Sequence, residues 1–144
     1  MRKIFEWLDA RGNGVISDAR LQVQQRAKLD QKLGMLRRAE VDQFGRVNLP
    51  EGLLAGPGVY GQKWIYKLKL QGNVALRPML ALGPVDRERE WTVLFVAEER
   101  DRTLHPPGRI AAAEAEARRQ QVITDPRRRR PLWEDEDDTN PEVD

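Results

Sequence analysis

The sequence predicts an α+β domain, and three patterns in the 144-residue chain lead to this class. Residues 17–44 have helical periodicity, residues 64–82 alternate like the two arms of a β-hairpin, and residues 109–123 form an alanine-rich helical pattern. Strands that are preceded and followed by helices are typical of α+β proteins. A chain of this length builds one modest hydrophobic core, so a second core is not expected.

The N-terminal part is predicted to form a short strand and then a helical region. Apolar residues within Arg2–Asp9 favour the strand, and a turn with two glycines follows it. Ser17 is a candidate N-cap, and Gly45 would end the helical region. A break near residues 24–27 would divide that region into two helices. Its apolar stripe consists of Leu29, Leu33 and Leu36.

The hairpin has an apolar face on each arm, and the register of the arms follows from keeping these faces together. The apolar face comprises Trp64, Tyr66, Leu68, Leu70, Val74, Leu76, Leu80 and Leu82. A three-residue turn at residues 71–73 satisfies this condition and places Lys67 opposite Arg77, with Lys69 beside it. Like charges that face each other across two strands are destabilising unless an anion lies between them. The hairpin therefore predicts an anion-binding face.

The glycines and prolines of residues 45–62 predict a loop before the hairpin, and a strand and a helix are predicted after the hairpin. Trp91–Ala97 is apolar on both faces, which is typical of a central strand and makes it the third partner of the hairpin. Pro78 predicts an edge or a bulge at its position. The helix over Arg109–Ile123 is expected to pack through Ile110, Ala113, Ala117 and Val122.

The last part of the chain is predicted to be a flexible tail, basic and then acidic, over residues 125–144, after a domain of residues 1–124. Its apolar content is too low for independent folding. Arg127–Arg130 is either a patch for nucleic acid or targeting, or a solvated linker. Trp133 is the one aromatic residue in this hydrophilic segment, and it could anchor the tail in a groove of this protein or of a partner.

The charge is distributed unevenly along the chain. Residues 1–130 carry all 25 Lys and Arg against 16 Asp and Glu, whereas residues 131–144 carry seven acids and no base. The body therefore suits a polyanion, and the acidic tail could compete for the same surface.

Composition also excludes several kinds of site. The absence of cysteine excludes disulfides and thiolate ligands and favours a cytoplasmic protein, and the single histidine excludes an HExxH zinc site. No nucleotide-binding motif follows a strand, so we expect neither a cofactor nor a metal. The N-terminus has too few apolar residues for a signal peptide or a membrane span, and no membrane partner is expected.

The candidate site is a group of fixed cations. Lys67, Lys69 and Arg77 are predicted to share a solvated face of the hairpin, and the segment after the third strand could bring Arg100, Arg102 and His105 to its edge. Clustered cations suit phosphate, whereas the alternative is that such lysines serve only solubility. His105 either transfers a proton at neutral pH or is a solvated loop residue.

The order of motifs resembles the RelE/ParE toxin superfamily, especially its HigB-like, phage-associated branch. The resemblance covers about residues 2–123, which include a basic helical region, a terminal helix and the motifs FEWLDARGNGVI, IYKLKL, VALRPMLALGP and EWTVLFVAEERDRTLHP. It implies a small twisted antiparallel sheet packed against N-terminal helices and a C-terminal helix. It also implies the toxin of a type II toxin–antitoxin system, a metal-independent ribonuclease that cuts messenger RNA in the ribosome and is neutralised by a cognate antitoxin, here expected to be of the helix-turn-helix type.

The resemblance also implies roles for individual residues. Lys67 and Lys69 match a Lys-x-Lys pattern, and either would accept the proton of the RNA 2′-hydroxyl. Arg77 and Arg100 would hold the phosphoryl oxygens, and Arg102 or His105 would assist the leaving 5′-oxygen. Other basic residues are expected to contact RNA, namely Arg26, Lys28, Lys32, Arg37, Arg38 and Lys63.

Two other functions stay open at this point. A ParE-like protein would block a protein target such as gyrase without catalysis. A domesticated phage protein would bind nucleic acid or serve a structural role without toxicity.

Overall fold

A computed structural model describes residues 1–70 and 75–133, and these form one seven-stranded mixed sheet with a helix on each face. The helices are α1, Val23–Arg38, and α2, Gly108–Thr124. Short 3₁₀ helices occupy Val59–Gly61 and Pro126–Arg128. The strands are β1 Lys3–Trp7, β2 Leu54–Ala55, β3 Ile65–Leu68, β4 Ala75–Leu82, β5 Glu90–Arg100, β6 Thr103–His105 and β7 Arg129–Pro131.

The α+β class is confirmed, but the sheet is not purely antiparallel. The strands lie in the order β2-β3-β4-β5-β1-β7, and β6 pairs with β5. β1 runs parallel to β5, with Ile4 opposite Trp91, and antiparallel to β7. β1 can occupy this interior position because it has a buried apolar side chain on each face, Ile4 in the core on the α1 side and Trp7 in the core on the α2 side.

β5 is the central strand, as predicted, and it pairs with β4, β1 and β6. It extends to Arg100, three residues beyond the prediction. Leu94 is an extra residue between the pairs Val93–Leu80 and Phe95–Met79, so β5 bulges there. Of the two alternatives predicted for Pro78, an edge or a bulge, the structure has the bulge, because β4 is an interior strand and the register shift lies beside Pro78.

The apolar face of the hairpin is confirmed for its described residues except Trp64, which is 38% exposed, but the predicted register is wrong by two residues. Lys67 lies opposite Met79, and Leu70 bridges to Leu76, so Lys69 falls opposite Arg77. A shift of two residues leaves every side chain on its original face, which is why the apolar pattern alone did not exclude it. The predicted turn and Val74 lie outside the described residues.

One helix, not two, precedes the hairpin, and it starts later than predicted. α1 begins after Gln22, whose backbone N–H donates to the side chain of Gln25 in a capping box. Ser17 does not cap it, because its backbone N–H and its hydroxyl both donate to the buried Glu6 carboxylate. The predicted stripe of Leu29, Leu33 and Leu36 is fully buried.

α2 matches the predicted helix within one residue at each end, but of its four predicted packing residues only Val122 is buried. Its buried residues are Ala111, Ala112, Ala115 and Val122, whereas Ile110 is 59% exposed. Ala113 and Ala117 are also exposed. Five of its 17 residues are alanine and only three are large and apolar, so the sequence leaves the rotation of the helix undetermined. Small side chains let α2 lie close to the sheet at Ile65, Met79 and Ala81.

Residues 125–133 belong to the folded body and not to a flexible tail. β7 pairs with β1, and Leu132 is buried in the core on the α1 side. Trp133 is anchored in this protein, because its indole N–H donates to Asp30 Oδ1 at 3.2 Å and Arg37 lies 5.5 Å from its ring. The acidic part of the predicted tail, residues 134–144, lies outside the described residues.

The basic run before Trp133 makes contacts within this body. Arg128 donates to the carbonyl of Leu8, Arg129 lies 3.5 Å from Glu90, and Arg130 lies 3.2 Å from Glu6. No helix in the described part of the chain is long and apolar enough to cross a membrane.

Candidate functional site

Beyond the area that α2 covers, the sheet has a shallow cleft of about 260 Å³, which we call the lysine cleft. It is lined by Lys67 and Lys69 from the β3 arm, Arg77 from β4, Glu99 from β5, and Gly52, Leu54 and Ala55. The four charged side chains meet there because alternate residues of adjacent strands point to the same face of a sheet. The structure therefore brings together three of the six predicted catalytic residues.

Arg77 is buried, which corrects the prediction that it lies on a solvated face. Its side chain is 8% exposed, and its Nη2 atom lies 2.8 Å from Glu99 Oε1. Nη1 donates to the carbonyls of Leu70 and Leu76, both at 2.9 Å. Because these acceptors already hold both terminal nitrogens, Arg77 fixes the position of Glu99 and the end of the hairpin. It is not free to clamp a phosphate.

The two lysines remain the accessible cations of the lysine cleft. Lys67 is half-buried, its Nζ donates to the hydroxyl of Tyr60 at 2.9 Å, and it lies 4.8 Å from the centre of that ring. Lys69 is exposed, and its backbone N–H donates to the carbonyl of Leu53. Within residues 1–70 and 75–133, neither ammonium group forms an ion pair with a carboxylate.

Sequence reasoning missed Glu99 and Tyr60. A strand that continues past Ala97 places Glu99 on the same face as Ala97 and Arg77, so a longer prediction for this strand would have found the carboxylate. The sequence gives no comparable indication for Tyr60. This residue contacts Lys67 from a 3₁₀ turn in which its own φ is 50°, a conformation that no periodic pattern predicts. Its ring lies against the start of α2, where a side-chain carbon on Gly108 would overlap it.

The other three predicted catalytic residues do not line the lysine cleft. Strand pairing sets Glu98 opposite His105 and Arg100 opposite Thr103, so alternation directs Arg100 and His105 to the face opposite Glu99. Arg100 lies 3.8 Å from Glu98. Arg102 lies in the turn between β5 and β6 with a φ of 65°. The expectation that these three residues complete one site with Arg77 is therefore wrong.

Two of the six predicted RNA-binding residues lie next to the lysine cleft. Lys28 and Lys32 of α1 line an open groove of about 480 Å³ against residues 50–53, and Lys69 borders both this α1 groove and the lysine cleft.

The other four lie elsewhere. Arg26 pairs with Asp30 at 3.1 Å, Arg37 stacks on Trp133, Arg38 is exposed, and Lys63 lies 4.7 Å from the ring of Trp64.

The chain matches no protein-family model, no curated protein and no solved structure. Membership of the RelE/ParE superfamily stays a prediction from the sequence motifs.

The lysine cleft offers two chemical properties. Three cations against one carboxylate leave it positively charged, which favours an anion such as a phosphodiester. Glu99 is 31% exposed, so the carboxylate that Arg77 orients remains accessible to a ligand. No group of three His, Cys, Asp or Glu side chains suited to a metal ion occurs in the described parts of the chain. The residues present can supply proton transfer and electrostatic stabilisation.

Proposed function

We propose that this protein is the toxin of a type II toxin–antitoxin system, an endoribonuclease that cuts messenger RNA on the ribosome with the lysine cleft as its active site. The observation that carries the proposal is the convergence of Lys67 and Lys69 with the Arg77–Glu99 pair in one positively charged cleft. The α1 groove adds Lys28 and Lys32 beside it, so a basic surface leads to the cleft. Such a surface suits the backbone of RNA.

The geometry changes the roles that the motifs implied. In the proposed reaction, Glu99 accepts the proton of the 2′-hydroxyl, whose oxygen attacks the adjacent phosphorus. Lys67 and Lys69 stabilise the added negative charge on the phosphoryl oxygens. The bond from phosphorus to the 5′-oxygen then breaks, and the Tyr60 hydroxyl gives its proton to that oxygen. The products are a 2′,3′-cyclic phosphate and a free 5′-hydroxyl, and Arg77 acts as the positioning residue for Glu99.

The test is cleavage of a message on purified, programmed ribosomes. We expect Lys69→Ala and Glu99→Gln each to lower the rate by about 10²–10³, which is typical for the loss of one transition-state contact. Arg11→Ala is the control, because Arg11 is an exposed cation outside the cleft. Full activity of both the Lys69 and the Glu99 variants would refute this active site. Lys69 is exposed, so its variant separates a loss of chemistry from a loss of folding.

One observation favours the ParE-like alternative of a protein-target inhibitor. Glu99 neutralises Arg77, and Arg100, Arg102 and His105 lie away from the cleft, so fewer cations face a substrate than the motifs implied. Induction in cells distinguishes the functions. The ribonuclease predicts rapid arrest of protein synthesis with cut messages, and the inhibitor of gyrase predicts a DNA-damage response with intact messages. A phage nucleic-acid-binding or structural protein predicts normal growth.

A further inference from the structure

Next to the start of β3, two exposed aromatic rings border a small cavity of about 120 Å³ that no proposed catalytic residue uses. We call it the Trp64 pocket. Phe44 is 70% exposed and Trp64 is 38% exposed. Its walls include Pro57 and Pro84 and the side chains of two arginines, Arg87 and Arg119. A cavity of this size holds one flat ring and not a folded segment.

The exposed Phe44 ring is carried by an ordered turn. Asp42 Oδ1 accepts hydrogen bonds from the backbone N–H groups of Phe44 at 2.8 Å and Arg46 at 2.9 Å. The buried hydroxyl of Tyr66 donates to the carbonyl of Gly45 at 2.5 Å. The turn is therefore fixed from two sides while the ring itself faces solvent. Because the backbone that carries the ring is already ordered, a ligand that stacks on the ring does not have to order this turn.

The pocket also carries positive charge. Three cations lie near the Trp64 ring, namely Lys63 at 4.7 Å, Arg87 at 5.4 Å and Arg119 at 5.6 Å from its centre. Glu116 compensates Arg119, at 2.8 Å. In residues 1–70 and 75–133, neither Lys63 nor Arg87 forms an ion pair with a carboxylate. Flat apolar walls beside uncompensated cations match a ligand that has both an aromatic ring and a negative charge.

We propose that the Trp64 pocket binds one nucleobase of single-stranded RNA, with the base against Phe44 and Trp64 and the adjoining phosphate at Arg87. Aromatic stacking combined with a basic backbone contact is how proteins hold single-stranded nucleic acid. Trp64 lies in the turn that leads into β3, three residues before Lys67, so a short stretch of chain connects the pocket to the lysine cleft. The inference rests on RNA being the substrate, and it adds a subsite that positions this RNA.

The test measures binding and not cleavage. The probe is a fluorescein-labelled 2′-O-methyl hexaadenylate, which lacks the attacking hydroxyl, and its partner is an abasic oligonucleotide of the same length and charge. We expect the full-length protein to bind the adenine oligonucleotide about 5- to 100-fold more tightly than the abasic one, the range typical of stacking one base. Phe44→Ala should remove most of this preference, and it should leave the fold intact because the ring is exposed.

A pair of arginine variants tests the phosphate contact. Arg87→Gln should weaken both oligonucleotides alike and lower the dependence of log affinity on log salt by about one. Arg89→Gln removes the same charge two residues away, where the side chain is 85% exposed and pairs with Asp86, and it should change neither quantity.

Three results would each overturn the proposal that the Trp64 pocket binds a nucleobase. They are equal affinity of the wild type for the adenine and abasic oligonucleotides, an unchanged base preference in Phe44→Ala, and Phe44-dependent binding of an acidic peptide without any base preference. The last result would assign the pocket to a protein partner. A wild type that shows the base preference without cutting ribosome-bound message would support the pocket and refute the ribonuclease, so the two failures can be distinguished.

Discussion

Glu6 is a carboxylate with no exposed surface, yet its oxygens have four hydrogen-bond donors. The backbone N–H groups of Ile16 and Ser17 donate to Oε1, and the Ser17 hydroxyl and Arg130 donate to Oε2. One side chain of β1 thereby holds the turn after it and the strand β7 beside it. Gly14 is needed next to this carboxylate, because a side-chain carbon at that position would overlap it.

We expect Glu6→Ala to lower the free energy of unfolding by about 2–4 kcal/mol, since it leaves the backbone N–H groups of Ile16 and Ser17 without their acceptor, and each buried donor without a partner costs about 1–3 kcal/mol. Gly14→Ala should be destabilising through overlap with the same carboxylate. Urea unfolding monitored by circular dichroism measures both. Glu98→Ala is the control, because Glu98 has a 48% exposed side chain in a surface ion pair, and its effect should stay within about 0.5 kcal/mol.

Burial raises the pKa of Tyr66 to about 12, because the protein disfavours the phenolate. An unfolded tyrosine ionises near pH 10, so above that pH the unfolded state loses its proton first, and stability falls as the pH rises towards 12. The loss should reach roughly 2–3 kcal/mol. Urea unfolding between pH 8 and 11.5 should show this decline in the wild type and in Tyr60→Phe. Tyr66→Phe should show a flatter profile, and an unchanged slope in that variant would refute the assignment.

At the scale of elements, arginine and tryptophan join α2 to the sheet. Arg118 lies 3.8 Å from the centre of the Trp7 ring and 4.9 Å from that of Phe95, and it donates to the carbonyl of Leu94 at 2.9 Å. The indole N–H of Trp7 donates to Gln121 at 2.9 Å. These contacts help to determine which face of α2 packs on the sheet, and they join residues that are far apart in sequence. The alanine pattern alone therefore pointed to the wrong packing face.

The low apolar content of residues 125–133 gave no indication of β7, and the contribution of this strand to stability can be measured. Leu132 is 6% exposed, so Leu132→Ala should destabilise the protein by about 2–4 kcal/mol, as for other buried leucines. Arg127→Ala is the control from the same segment. Arg127 is 90% exposed and pairs with Asp125 at the surface, so its loss should leave the stability almost unchanged. Equal midpoints of thermal unfolding for the two variants would contradict the packing of this segment.

The strands illustrate which parts of the fold and the site the sequence alone could predict. Alternation in the hairpin and the apolar run of β5 identified the central strands, because burial on a face leaves a local pattern. The hairpin register could not be predicted without knowing where Glu99 lies, because this residue of a different strand forms an ion pair with Arg77. The parallel pairing of β1 with β5 joins residues about 87 apart, and no local pattern encodes such a partner. The lysine cleft was accordingly predicted in part, through Lys67 and Lys69, and Glu99 and Tyr60 were missed.

For the whole molecule, the internal contacts of Arg77 and Arg128–Arg130 mean that net charge overstates the basic surface. The lysines of the α1 groove and of the lysine cleft form a continuous part of this surface, because Lys69 borders both. RNA binding that depends on this surface should weaken as salt rises, because bound cations release counterions from the phosphates.

We expect Lys28→Gln and Lys32→Gln each to weaken RNA binding irrespective of sequence and to lower the salt slope by about one, as measured by fluorescence anisotropy in 50–200 mM salt. Arg11→Gln removes an exposed charge outside both surfaces and serves as the control. Lysine variants whose slopes match that of the wild type would show that RNA does not follow the α1 groove.

The place of β1 between β5 and β7 affects the order in which a nascent chain can fold. β1 emerges first during translation, its parallel neighbour follows some 87 residues later, and its other neighbour comes only at residues 129–131. Pairings of such long separation form late and slowly. The sheet is therefore completed only after residues 129–131 have left the exit tunnel, so β1 waits for both of its neighbours before it is held on each side.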